Sequence, residues 1–405
     1  MIEGSLGLVR GSLKEELVPK ELVAELCAAM RGNPPSDQGS PSLESRVQGL
    51  LAEVERDSLD SQGYFVRKAM WPGAAPFAVC LTHDVDNIER PPEHVERVKD
   101  RFSPSDYARW RRGELSLYDN VEEIARREGR AGFRSSFYYM SAEYPLARAR
   151  AAARRISRKG WEVGLHGDFG THDSYPRMRE AVERLERGLG IRPRGLREHY
   201  LRFDYARSWG VMERAGFDYD STVGNNDRLG FKLGLAAPFH PPDPRWRPMR
   251  LLELPLSLMD TTLWGYLKRG EEGGFADFLR LMGMVRDVGG LFTLLWHQEA
   301  VRMRGGRIYW DILDELRGTG AFVGSGAEVA GWWRAREVPL EARGGKLITL
   351  GGAPPEGLVV QLKVEAGVRV RRAAGSLRSK REGRRFHEHE VSPSGGAFRL
   401  ELPGR

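Results

Sequence analysis

From Tyr118 to Ala335 the chain alternates short apolar runs with longer amphipathic ones. This alternation constrains the fold more than any other feature. Apolar runs bounded by turn residues read as buried strands, and a 3.6-residue apolar period reads as helix. On that basis strands are expected at 132–140, 161–166, 194–199, 218–222, 249–258, 290–297 and 321–323, with an earlier one at 76–83. Helices are expected over 119–130, 144–159, 176–189, 203–215, 274–287, 308–317 and 326–335. The 176–189 segment is the clearest, with Met178, Ala181, Val182 and Leu185 on one side. Helical crossovers return the chain for parallel pairing, so seven or eight such strands predict an α/β fold, most economically a (β/α) barrel. Chemistry in such barrels sits at the C-terminal strand ends.

The flanks read differently. Residues 1–75 carry helical patterning around Leu13, Leu17, Leu22, Val23 and Leu26, a turn-rich stretch Gly32–Pro41, and a second helix from about Leu43 to Asp57. They are expected to form an N-terminal helical extension. Residues 337–405 hold short alternating runs such as Leu358–Val364 and Ala397–Leu402, expected to form a small all-β appendage. The barrel then occupies 76–336, with long loops at about 84–116 and 223–248.

Composition narrows the partners. The 63 basic and 56 acidic residues give a net charge of +7, too modest to argue for nucleic acid. The two cysteines, Cys27 and Cys80, give no disulfide framework. No apolar run approaches the ~20 residues that span a bilayer, and the N-terminus has no secretory pattern. The expectation is a cytoplasmic protein.

Candidate chemistry lies where the barrel reading puts strand ends. In Leu81-Thr82-His83-Asp84-Val85-Asp86-Asn87, alternation puts Thr82, Asp84 and Asp86 on one face. Carboxylates two residues apart are separated by roughly 6.5–7 Å along a strand. One can then bind a metal while the other takes a proton from the metal's water, although strand-end aspartates also simply face solvent. His166 closes Trp161–His166, and His172 follows a glycine-bearing turn, so both can reach one metal. His297 closes Leu291–His297, as a core residue or a catalytic acid or base. Arg197 sits within a strand and Arg202 at its exit. A buried arginine needs a carboxylate partner, and Asp84 is the candidate.

With these residues in order, the chain resembles the polysaccharide deacetylases, the NodB-homology carbohydrate esterases, over roughly residues 76–336. The resemblance rests on Thr82-His83-Asp84-Val85-Asp86, the pair His166 and His172, the run Arg197 to Phe203, Asp220 in Asp218–Thr222, and Leu294-Leu295-Trp296-His297. It implies a distorted (β/α) barrel and a metal-dependent hydrolase that removes an N-acetyl group from a sugar or glycan, with the metal's water as nucleophile. Asp86, His166 and His172 would hold a divalent metal, zinc by preference. Asp84 would be the base, His297 the acid, Arg197 the residue orienting Asp84, and Asp220 a residue tuning His297. Two departures mark a divergent branch: the aspartates are not adjacent, and five residues rather than three separate the histidines. Asp168 or a water is the alternative to His172. The same fold also admits an amide or imide hydrolase of small molecules, or a carbohydrate-binding barrel without catalysis.

A basic cluster in the C-terminal segment, Arg369, Arg371, Arg372, Arg378, Lys380, Arg381, Arg384 and Arg385 near His387 and His389, reads as a solvated loop or a dock for an anionic polymer.

Overall fold

The computed structural model describes residues 6–10, 12–14, 17–343, 347–366, 370, 372–393 and 398–402. Arg369, Arg371 and Ala397 lie outside the described residues. Among the described residues, no helix is long and apolar enough to cross a membrane. Contacts divide the chain into two units: residues 1–27, 43–77 and 331–405 in one, 28–42 and 78–330 in the other.

The first unit is built from strands distant in sequence. The segment read as a helical extension does contain the helices Lys20–Met30 and Ser42–Gln62, but it also supplies β1 (Tyr64–Lys68).

The second unit contains the strands β2 (Ala78–Val85), β3 (Ser136–Met140), β4 (Glu162–Gly167), β5 (Gly195–Glu198), β6 (Tyr219–Asp220), β7 (Leu252–Glu253), β8 (Leu256–Met259), β9 (Leu291–Leu295) and β10 (Phe322–Gly324). They pair in the order β7-β6-β5-β4-β3-β2-β9-β8, with β10 beside the start of β2. Every pairing is parallel. The sequence reading of one strand over 249–258 becomes two strands, β7 and β8, at opposite ends of this order. Pro255 between them lacks an N–H for a ladder, and the N–H of Leu256 is taken by Val223 O. Laid flat, the edges would be roughly 33 Å apart, whereas the Leu254-Pro255 link spans at most about 11 Å. The sheet therefore curls back on itself into a distorted (β/α) barrel.

Helices cover the strands with the faces their periodicity dictates. In Tyr175–Leu189 the buried residues are Met178, Ala181, Val182, Leu185 and Leu189, and Gly190 at φ 71° ends the helix. The inward face of β4 carries Glu162, Gly164 and His166. Glycine is needed at 164 because a Cβ there would lie 2.5 Å from the Tyr138 ring. Tyr138 and Tyr219 share a hydrogen bond of 2.9 Å, and Tyr219 donates to Glu162 at 2.7 Å. Polar groups so paired are tolerated in a barrel interior.

The long excursion after β2 is not wholly irregular. It forms the helices Pro92–Arg97 and Pro104–Arg111, packed around Val95, Phe102, Leu117 and Tyr118. Arg302 ties it down: its carbonyl accepts from the N–H of Ser103 at 2.8 Å, and its Nη1 donates to Asp106 at 3.4 Å.

The remaining strands complete the first unit: β11 (Leu340–Arg343), β12 (Leu347–Leu350), β13 (Val360–Glu365), β14 (Arg372–Ala374), β15 (Ser376–Glu382), β16 (Phe386–Ser392) and β17 (Arg399–Glu401). Two antiparallel sheets result, β1-β13-β16-β15 and β11-β12-β17-β14. Tyr64, Val66, Ile348, Val360, Leu362 and Leu400 share their core. The basic residues of β15 are exposed on an edge strand, where charge blunts edge-to-edge pairing. Lys380 pairs with Glu390 at 2.9 Å.

Candidate active site

The C-terminal ends of β2, β4, β5, β8 and β9 converge on a cavity of about 570 Å³. Its lining includes Asp84, Asp86, His166, His199, Asp260 and His297. Parallel pairing is the cause: it brings all C-terminal ends to one rim, and register sets their depth. His166 lies opposite Arg197 across β4 and β5.

Arg197 is fully buried and uses its whole fork. Nη1 donates to Thr82 Oγ1 at 2.8 Å and to Asp84 Oδ1 at 3.1 Å. Nε donates to Ser221 O, and Nη2 to Ser221 Oγ, both at 2.8 Å. Asp84 is thus fixed from behind, leaving Oδ2 on the cavity side, 3.6 Å from His166 Nε2.

His166 donates Nδ1–H to the carbonyl of Arg197 at 2.8 Å. A carbonyl only accepts, so in the neutral imidazole the lone pair is on Nε2. That atom faces Asp86 Oδ1 at 3.2 Å. His199 Nε2 lies 3.8 Å from Asp86 Oδ2. Asp86, His166 and His199 together present ligand atoms all within 4.8 Å of one another.

Three observations fit this group to a divalent cation. Asp86 Oδ1 and His166 Nε2 are buried without a hydrogen-bond partner. Burial and the neighbouring His166 push His199 down to about 4, so it is neutral and able to ligate at pH 7. Burial would raise Asp86, but its close contact with His166 and the positive charge of His297 hold it below the usual carboxylate range. One carboxylate and two imidazoles, one of the rings oriented by the carbonyl of Arg197, form an ordinary donor set for a catalytic metal.

His297 stands across the cavity, its Nε2 3.9 Å from Asp86 Oδ2. Its Nδ1–H donates to Asp260 Oδ1 at 2.7 Å, and its backbone N–H to Asp260 Oδ2 at 2.9 Å. Burial favours the neutral ring, but the Asp260 carboxylate, with Asp86 and Asp84, raises His297 well above the ordinary histidine range.

No family model matches the sequence, and no curated protein matches it. Solved structures do. A candidate polysaccharide deacetylase from Mycobacterium smegmatis superposes with a TM-score of 0.50 at 19% identity, over 66% of this chain and 94% of that one. The barrel is a polysaccharide-deacetylase fold. PuuE allantoinase gives 0.48 at 18% identity over 66% and 93% of the two chains. A candidate polysaccharide deacetylase from Pseudomonas aeruginosa PAO1 gives 0.48 at 18% over 66% and 94%.

Within this polysaccharide-deacetylase barrel, Asp84, Asp86, His166, Arg197 and His297 come together as the sequence pattern suggests. Two residues do not. His172 lies outside the group of donor atoms that could share one ion, and His199 lies inside it. The turn between His166 and His172 is tied down by Thr171, whose Oγ1 donates to Asp168 O at 2.7 Å and lies in hydrogen-bond contact with Glu198 Oε2 at 2.6 Å. Asp168, the alternative ligand, is taken by Ser141 and Arg184. His199 reaches the cavity because β5 ends in a tight turn with Tyr200 at φ 59°, and its ring stacks on Tyr200 at 4.1 Å. Asp220 is not beside His297. It is buried against Glu253 and accepts from Thr222 Oγ1 at 2.5 Å. The carboxylate on His297 is Asp260, one residue past β8. Both missed residues carried a legible signal: His199 is the last residue of the predicted strand 194–199, and Asp260 lies two residues past the predicted strand 249–258.

Proposed function

We propose that the protein is a metal-dependent hydrolase that removes the N-acetyl group from a small N-acetylated sugar or a glycan end. One observation carries this reading: two proton-transfer groups of opposite character flank one metal-type donor set. Asp84 is held by Arg197 on one side, and His297 is held by Asp260 on the other.

Asp86, His166 and His199 would hold the ion, zinc being the natural choice for this donor set. When bound, a divalent ion there supplies Lewis-acid polarisation of the acyl carbonyl and acidifies water. The chain's own residues do the rest. Asp84 Oδ2 accepts a proton from water as its oxygen attacks the carbonyl carbon. His297, carrying a proton raised in affinity by Asp260, gives it to the departing nitrogen as the C–N bond breaks, so acetate and a free amine leave. Arg197 keeps Asp84 oriented throughout, since four hydrogen bonds from all three of its nitrogens fix the guanidinium. The cavity volume suits one or two sugar units, and equally a small-molecule amide or imide, which a substrate panel separates from N-acetylated sugars.

The test is Asp84→Asn. The variant should keep its metal and lose about 10²–10⁴ in turnover, the span that a general base supplies. Turnover within about threefold of wild type would remove Asp84 from the role of base.

A further inference from the structure

We propose that the substrate bears an anionic group besides its acylated amine, and that Arg101, Lys268 and Arg304 at the cavity rim receive it. This rests on the reading of the cavity floor as an amide-hydrolysing site and specifies what else the substrate carries.

The cavity carries paired charge at its floor, Asp84 with Arg197 and Asp260 with His297, and excess positive charge at its rim. Its floor presents Asp84, Asp86 and Asp260, while Arg101, Lys268 and Arg304 line its outer part and are exposed. The cations come from two walls. Arg101 ends the turn Lys99–Arg101, and Arg304 follows the turn Ala300–Arg302. The antiparallel bridge Phe102–Met303 brings these two stretches together, and the N–H of Arg304 donates to the carbonyl of Arg101 at 2.9 Å. Two guanidinium side chains are therefore rooted side by side, where one anion can meet both. The nearest rim carboxylate, Asp100, is 90% exposed and 4.0 Å from Arg304 Nη2. That distance leaves the pair largely unneutralised. No acidic partner of Arg101 or Lys268 occurs among the described residues.

Lys268 stands on the other wall, beyond the turn Thr262–Tyr266. Its backbone is at φ 52°, in the left-handed region. A non-glycine residue there costs about 1 kcal/mol or more, and such strain is commonly held where a side chain is aimed for use. The adjacent backbone is pinned by Arg269 N–H donating to Leu263 O at 2.8 Å.

These fields orient a substrate. An anionic substituent is drawn to these rim cations, which leaves the neutral acetamide to reach the floor. Phosphate and carboxylate share this chemistry, and the probes below distinguish them. The volume of about 570 Å³ accommodates one sugar with its charged substituent.

The test uses the full chain reconstituted with zinc and titrated calorimetrically with N-acetylglucosamine, its 1-phosphate, and N-acetylmuramic acid. At least one anionic probe should bind tenfold or more tightly than the neutral sugar, and the advantage should shrink with added salt. In the triple variant Arg101→Gln, Lys268→Gln, Arg304→Gln the advantage should fall to within about twofold, with metal content and neutral-sugar affinity unchanged. Equal affinity for all three probes in the wild type overturns the proposal, as does an anionic advantage that survives in the triple variant. Selective anion binding without any deacetylation supports the rim while overturning the proposed reaction, so the two can fail separately.

Discussion

Asp260→Asn separates the two aspartates that could serve His297, and its outcome can be worked from the hydrogen bonds. Asp260 Oδ1 accepts from His297 Nδ1–H at 2.7 Å and from the backbone N–H of Thr261 at 2.6 Å, while Oδ2 accepts from the His297 backbone N–H at 2.9 Å. All three contacts need an acceptor. An asparagine has one acceptor oxygen, so either orientation of its amide sets an NH2 against a backbone N–H. One buried donor is left unmet, at about 1–3 kcal/mol of stability. The proton loss matters more. Burial alone favours neutral His297, and the Asp260 carboxylate is the chief group opposing it. Without that charge the imidazolium is lost at lower pH. Turnover should fall by about 10²–10⁴, the span expected for a general acid. The alkaline limb of the pH–rate profile, which reports deprotonation of His297, should move to lower pH. The assay is acetate release across pH, with metal content measured in parallel. An unchanged alkaline limb, or turnover within threefold of wild type with metal retained, would refute Asp260 as the partner of His297. Asp220→Asn is the control and should leave that limb in place.

Two further expectations concern the ligands and the buried acids. His199→Ala should lose most of its bound metal while His172→Ala keeps it, as read by elemental analysis after dialysis; the reverse result would restore His172 to the donor set. Asp220 and Glu253 share a hydrogen bond in full burial; the burial raises both above the ordinary carboxylate range, and the charge of Asp220 raises Glu253 further. The folded state thus binds a proton that the unfolded chain releases near pH 4. The stability it confers is complete below that pH and is lost as pH rises through the folded values, by at most about 1.4 kcal/mol per pH unit per proton. Glu253→Gln keeps a neutral partner for Asp220, so thermal midpoints measured from pH 4.5 to 7.5 should fall less steeply than in the wild type. An identical slope would show that the pair holds no proton.

The exposed basic strand marks where sequence pattern had least to work with. Arg378, Lys380 and Arg381 form a charge run in sequence, yet β15 is an edge strand, and an edge has its own reason to be charged.

Local sequence determined the elements of this protein. The strand–helix alternation, the face of Tyr175–Leu189, and the placement of Asp84, Asp86, His166, Arg197 and His297 at strand ends all follow from periodicities of 2 and 3.6 residues. These depend on near neighbours and so are written in the chain. Tertiary structure decided which of several eligible side chains met. His172 and His199 are both histidines after strands, and Asp220 and Asp260 are both aspartates at strand ends. Only the closure of the barrel between β7 and β8, the register of β4 against β5, and the left-handed turn at Tyr200 select His199 and Asp260. Pairing across distant strands is set by the packing of the whole sheet. No local spacing encodes it, just as none foretells that Tyr64–Lys68 pairs with Val360–Glu365.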